Sequence, residues 1–237
     1  MVEVLFFGSA FGSEIIGTMA GFGSSTVFLP LALLFFDFKT ALVLTAFLHI
    51  FGNIDRIGFF RHGIDRRLVR LFGLPSVAAT VLGAVLVPFI PQQILKTILG
   101  YFLVGYAGLS LAKETLKFGA AWENAVAGGL LSGFFAGLIG TGGALRGAFL
   151  TAFNLPKNKY IATAAAIALA VDVTRIPVYL KLGFLDSKYT AYLMPLFAVA
   201  LAGSWVGKKM VDRIPQRIFM KLVLLAILAV GLKLALG

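Results

Sequence analysis

Apolar residues run through this chain in stretches of about 20 to 35, and polar residues gather in short clusters between them, so the repeating unit is the thickness of a bilayer. Residues 3 to 36 form one such stretch, interrupted by Gly17-Thr-Met-Ala20-Gly21-Phe-Gly23-Ser24-Ser25-Thr26 and carrying Glu14 as its only internal charge. A short Asp37-Phe-Lys39 loop follows. Residues 40 to 60 predict a span, Arg61, Arg66, Arg67 and Arg70 mark a basic loop, and 71 to 90 and 92 to 112 predict two more spans joined at Pro88-Phe-Ile-Pro91-Gln92. The polar stretch Lys113 to Glu123 reads as a linker at the middle of the chain. Beyond it come a second broken stretch at 124 to 153, a Pro156-Lys-Asn-Lys159 loop, and spans near 160 to 182, 189 to 207 and 215 to 236.

The second half repeats the first residue by residue. Lys39 and Thr45 match Lys157 and Thr163, Asn53-x-x-Arg56-Ile matches Asp172-x-x-Arg175-Ile, and Gly63-Ile-Asp65 resembles Gly183-Phe-Leu-Asp186. Pro75 and Gly83 correspond to Pro195 and Gly203, and Ile90-Pro-Gln-Gln-Ile94 to Ile214-Pro-Gln-Arg-Ile218. The expected organisation is a first membrane repeat at 1–112, a linker at 113–123 and a second repeat at 124–237.

Charge chooses between two topologies. If every apolar stretch crossed once, the basic 61–70 loop and the cluster Lys208, Lys209, Arg213 and Arg217 would lie on opposite faces, and the positive-inside bias would vanish. If each glycine-broken stretch dips in and returns, residues 61–70, 113–123, 157–159 and 208–217 share one face. They carry twelve of the 21 Lys and Arg, against about five opposite. That face is expected to be cytoplasmic, with both termini on the other side. Folding 30 to 34 residues at the glycines predicts two arms of about 15 residues and about 22 Å, long enough to reach the midplane. The expected fold is an all-α integral membrane protein of two inverted repeats, each a re-entrant broken-helix hairpin plus three transmembrane helices. Secondary transporters recurrently use this plan, with sites where the breaks meet.

Composition agrees and removes other classes. At 59% hydrophobic residues with a mean hydropathy of +0.96, the chain lies far from soluble domains. A net charge of +11 would suggest nucleic acid in a soluble protein; here most Lys and Arg sit in short loops between spans, and no nucleic-acid partner is expected. No Cys is present, so disulfides and thiolate chemistry are excluded. The two histidines, His49 and His62, build no HExxH or similar cluster, so neither a metal site nor a cofactor is expected. The first stretch has no basic n-region and outruns an h-region, so no cleaved signal peptide is expected. A multi-pass place in the cell (inner) membrane follows.

The candidate chemistry sits at the breaks. The helical arm after each break starts with N–H groups that have no intrahelical acceptor, so its positive dipole end points into the membrane centre. Gly23, Ser24 and Ser25 on one side and Thr141, Gly142 and Gly143 on the other would make an anion cradle, with Arg146 adding a forked contact. Arg146 is expected to be the only full positive charge near the centre. Arg56 and Arg175 lie near the ends of matched spans, three residues after Asn53 and Asp172. Arg56 either snorkels to headgroups or joins the site; Arg175, with Asp172 as partner or gate, is expected to serve an anion path. Gly129, Gly133 and Gly137, like Gly203 and Gly207, read as helix-packing faces. Thr45 and Thr163 are expected to satisfy helix carbonyls. Glu14 and His49 are either proton carriers or paired structural residues.

The broken Gly137-Leu-Ile-Gly140-Thr-Gly142-Gly143 segment, the Lys-x-x-x-x-x-Thr span start and the duplication of the plan resemble the TauE/SafE family of sulfite exporter-like membrane permeases. The resemblance covers essentially the whole chain. The first half departs from the family's Gly-x-Gly-Gly with Phe22-Gly23-Ser24-Ser25, and Arg146 is an addition. It implies a permease for sulfite, thiosulfate, an organosulfonate or a related small anion, with a proton or cation as candidate coupling ion. The competing class is an ion-coupled transporter or channel for another organic anion or a metal cation, which would want convergent carboxylates or His. An enzyme is not expected, because no nucleophile and base pair is identifiable.

Overall fold

The computed structural model describes residues 2–21, 23–60, 63–112, 119–211, 213 and 216–236, with side chains at 3–21 and 220–236 at the two ends. Phe22, Arg61, His62, residues 113–118 of the expected linker and the matched Ile214-Pro215 lie outside the described residues, as do the side chains of Arg217 and Ile218. What is described is helical: α1 (Val2–Ala20), α2 (Ser25–Ala32), α3 (Phe38–Phe59), α4 (Arg66–Leu86), α5 (Gln92–Ala112), α6 (Trp122–Ile139), α7 (Gly143–Thr151), α8 (Lys157–Lys181), α9 (Leu193–Met210) and α10 (Gln216–Leu236). Five helical stretches among these residues, Phe38–Phe59, Arg66–Phe89, Gln92–Ala112, Lys157–Lys181 and Ser187–Met210, are long and apolar enough to cross a membrane.

Two expectations change. Arg66, Arg67 and Arg70 lie on the first turns of α4 instead of in a loop, because the Asp65 carboxylate accepts from the N–H groups of Arg67 and Leu68 and starts the helix there. The arms of the broken stretches are unequal: 19 and 8 residues in α1 and α2, 18 and 9 in α6 and α7. The long arms are therefore about 28 Å and the short ones about 13 Å. The break comes late because Gly21 and Gly23 at the first break and Gly140 at the second are the residues that take positive φ, +77°, +93° and +71°.

The main pairings of helices are kept when the first five are exchanged with the last five. α1 packs on α9 as α6 packs on α4, α3 on α9 as α8 on α4, and α3–α8 and α5–α10 pair with each other. Gly129, Gly133 and Gly137 form the expected packing face: a Cβ at any of them would overlap the carbonyls of Phe72, Ser76 and Thr80 on α4. Gly203 and Gly207 likewise lie against Phe11, Glu14 and Ile15 on α1.

Contacts also gather the ends. The Phe6 ring of α1 meets Phe35 and Phe36, just beyond α2, with centroids 5.9 and 4.9 Å away. Tyr192, before α9, donates to Glu3 at 2.9 Å, and the Phe38 N–H donates to Gln92 at 2.9 Å. At another end, Lys159 pairs with Asp65 at 3.3 Å, Lys157 donates to the Val211 carbonyl at 3.0 Å, and the Lys208 ammonium lies over the Phe59 ring. In the second broken stretch, Phe149 of α7 packs against Gly128 of α6.

Candidate functional site

At the first break Ser24 occupies the N-cap of α2, yet its hydroxyl does not cap the helix; it donates to Glu14 Oε1. Glu14 Oε2 accepts from Arg56 Nη1 at 2.8 Å and from the Ser204 hydroxyl of α9 at 3.2 Å. Arg56 Nη1 also donates to Thr18 at 3.1 Å. Gly52 and Gly203 close around the acid, since a Cβ at either would press on its side chain. One carboxylate thus ties α1, α2, α3 and α9 together. On burial a guanidinium and two hydroxyls replace the water its side chain loses.

The second break is held by main-chain groups. The last carbonyls of α6 lack helical donors, and Arg175 Nη1 supplies two bonds, to Ala136 at 2.7 Å and Gly140 at 3.0 Å. The Tyr179 hydroxyl, one turn further along α8, donates to Gly137 at 2.6 Å. The other edge of Arg175 engages Asp172 Oδ1, through Nε at 3.0 Å and Nη2 at 2.7 Å.

Between the breaks the matched motif of α3 and α8 makes the junction. Asn53 Nδ2 donates to Asp172 Oδ2 at 3.0 Å, and Arg56 Nη2 donates to Asn53 Oδ1 at 2.9 Å. A continuous path therefore runs from Glu14 through Arg56, Asn53 and Asp172 to Arg175. His49 Nδ1 lies 2.9 Å from Asp172 Oδ2. The two breaks touch where the hydroxyls of Thr26 and Thr141 bond at 2.8 Å.

Of the expected site residues, Asn53, Arg56, Asp172 and Arg175 are brought into one network. Gly23 abuts His49, Ser24 holds Glu14, and Thr141 reaches the opposite break. Ser25 and Gly143 are buried at the helix starts, and Gly142 lies against the Ser132 carbonyl. Arg146, 3% exposed on the first turn of α7, feels the charges of Asp172, Arg56 and Arg175. It is not the sole central cation, because Arg56 and Arg175 are each 1% exposed and ion-paired. That burial also removes snorkelling for Arg56. Thr163 accepts from the Asp65 N–H at 2.9 Å, while the Thr45 hydroxyl has no hydrogen-bond partner among the described residues, so neither satisfies a helix carbonyl.

Tyr179, Thr18, Thr26 and Ser204 were missed. Tyr179 carried a signal, since four residues place it on the face of Arg175; the hydroxyls did not stand out. Among the described residues no group of three or more His, Asp and Glu is placed to hold a metal. The open apolar groove between α1 and α9 is lined by none of the network residues.

A multi-pass helical bundle whose polar groups converge on two broken helices is the construction of a membrane transport protein. The family model described as Sulfite exporter TauE/SafE matches residues 5–234, and the chain belongs to that family. It is therefore a membrane permease and not an enzyme. No curated protein matches it.

Proposed function

We propose that this permease moves a small sulfur oxyanion, such as sulfite, thiosulfate or an organosulfonate, by alternating access around the two breaks. The observation that carries the reading is their meeting at Thr26 and Thr141 inside a cluster whose described buried charges are Arg56, Arg146 and Arg175 against Glu14 and Asp172. Helix N-termini, hydroxyls and a surplus of guanidinium suit an anion; a hard cation would need converging oxygens free of arginine. The candidate contacts are Gly23, Ser24, Ser25, Thr141, Gly142, Gly143 and Arg146, with Asn53, Arg56, Asp172 and Arg175 as the framework that positions them.

In the same reading the broken stretches are re-entrant hairpins entering from opposite faces, and the two repeats are inverted. Support comes from the contact of Phe6 with Phe35 and Phe36, that of Gly128 with Phe149, and the gathering of the two hairpin bases at different ends of the bundle. Thermal-shift and proteoliposome flux assays with sulfite, thiosulfate, methanesulfonate and divalent cations test the function. Anions should stabilise and be carried; stabilisation by cations alone would overturn it. Single cysteines at Ile64 and Met210 of this Cys-free chain should both react from the cytoplasm, whereas labelling from opposite sides would remove the inversion.

A further inference from the structure

Resting on that anion-permease reading, we propose that His49 carries a coupling proton and that the substrate anion binds between its imidazolium and the N-terminus of α2. His49 lies midway along α3 and is 3% exposed. Its Nδ1 faces Asp172, and its Nε2 has no hydrogen-bond partner among the described residues. Nε2 is aimed at the first break: a Cβ added at Gly23 would overlap it, and the backbone there, at φ +93°, is one that glycine takes freely. Because the Ser24 hydroxyl is engaged by Glu14, the first turn of α2 has no side-chain cap.

The physical consequence is a linkage. A carboxylate beside Nδ1 favours the proton on that nitrogen, so the neutral ring turns the Nε2 lone pair toward the positive end of α2. The close approach of Nε2 to Gly23 suits that tautomer. Protonating Nε2 places a cation against the helix N-terminus, which is unfavourable until an anion enters between them. An anion entering beside the neutral ring meets a lone pair, which is equally unfavourable. Each ligand therefore favours the other, and the coupling is reciprocal.

The charged groups facing the ring are Asp172 from α8, Arg146 from α7 and Arg56 from α3 itself. α1 and α9 bring Glu14 and Ser204 to the far side of Arg56, and α2 brings the Ser24 hydroxyl. Lys96, the only charged residue of α5, is one turn from Gln92, which bonds the start of α3 well away from His49. With His49 neutral, the described buried charges leave one positive in excess; with it protonated they leave two, matching a dianion.

Thiosulfate is the probe because it stays a dianion across about pH 5 to 8, where imidazole titrates. Calorimetric titration of the purified protein in two buffers of different ionisation enthalpy counts protons. The expected result is about one proton taken up per anion, with affinity falling about tenfold per pH unit above the imidazole's titration. His49→Gln keeps a donor that cannot titrate, so it should abolish the uptake and flatten the pH profile. Binding without proton uptake overturns the proposal and leaves the anion reading standing. Uptake that survives in His49→Gln and disappears in Glu14→Gln overturns it in favour of Glu14. Failure of thiosulfate, sulfite and methanesulfonate all to bind removes the reading and the proposal together. The chain has only two histidines, so His62→Gln leaves a single imidazole for nitrogen NMR. That ring should pass from the neutral Nδ1–H tautomer to imidazolium when thiosulfate is added; a ring neutral in both states overturns the proposal without recourse to any His49 variant.

Discussion

Where α1 breaks, an acid holds the turn, with Glu14 gathering Ser24, Arg56 and Ser204; where α6 breaks, Arg175 and Tyr179 hold bare carbonyls. The arginines are the matched pair of the repeat, yet one addresses a side chain and the other the end of a helix dipole. At the junction the matched positions hold Asn53 and Asp172, a neutral amide against a carboxylate. The two matched arginines are both ion-paired, but Arg56 spends its other bonds on side chains while Arg175 spends them on the peptide carbonyls that end α6. The two clamps should then differ in how much stability they hold.

Asp172 is common to both sides, so Asp172→Ala should give the largest effect. It leaves Arg175 without its counter-charge and Asn53 without its acceptor, at about 3–5 kcal/mol in thermal unfolding of the purified protein. A small loss would mean the halves are held independently, and the junction would drop out of the comparison.

The comparison itself rests on Glu14→Gln against Tyr179→Phe. The first strips the charge facing Arg56 and should cost about 2–3 kcal/mol; the second deletes one neutral hydrogen bond to Gly137 and should cost about 1 kcal/mol. Equal losses would break the distinction between a clamp on a carboxylate and a clamp on peptide carbonyls.

Arg146 has no arginine at the corresponding place in α2, which makes it a probe of where the anion sits. Arg146→Gln should weaken thiosulfate binding by about 2 kcal/mol, with Arg146→Lys restoring part, since lysine keeps the charge without the fork. Stability without anion should hardly fall. Unchanged affinity here, together with its loss in Arg175→Gln, would move the anion to the second clamp.

The smallest contrast lies in the loops. Asp65 caps α4 and also reaches the other half through Lys159 and Thr163, whereas Asp186, among the described residues, bonds its neighbours Lys188 and Ser187. Asp65→Ala should cost about 1 kcal/mol as a lost cap, and Asp186→Ala should shift the melting temperature less. Hydrogen bonding from the Leu68 and Lys188 N–H groups respectively, aided by the nearby lysines, holds both carboxyls below the ordinary value of 3.8. A depressed carboxyl contributes stability above its unfolded value and loses it as pH falls through the folded one. Acid titration below about pH 4 should therefore erase the difference between wild type and each variant; a difference that persists there would mean the aspartates act through packing.

Five of the six expected spans, the broken stretches and the recurring Asn/Asp-x-x-Arg motif were legible in the sequence, because bilayer thickness fixes the length of apolar runs and repetition exposes matched polar residues. The unequal arms were less so, since several glycines crowd each break and only the backbone shows that Gly21, Gly23 and Gly140 take positive φ. Arg146 stood out as an intramembrane charge, but its standing as one of three buried arginines did not, because Arg56 and Arg175 read as span-end residues.

By itself the sequence determined that this is a multi-pass helical protein with two broken helices and one polar motif that recurs in both halves, because hydropathy and glycine content act locally along the chain. Only the tertiary structure decided that Arg56 pairs with Glu14, 42 residues away, that Asn53 meets Asp172, and that Arg175 turns to the carbonyls of α6. A helix fixes the face on which a side chain stands. Which counter-charge or carbonyl it meets depends on the crossing of another helix, and here small residues such as Gly52, Gly133 and Gly203 let those crossings come close enough to bury the charges.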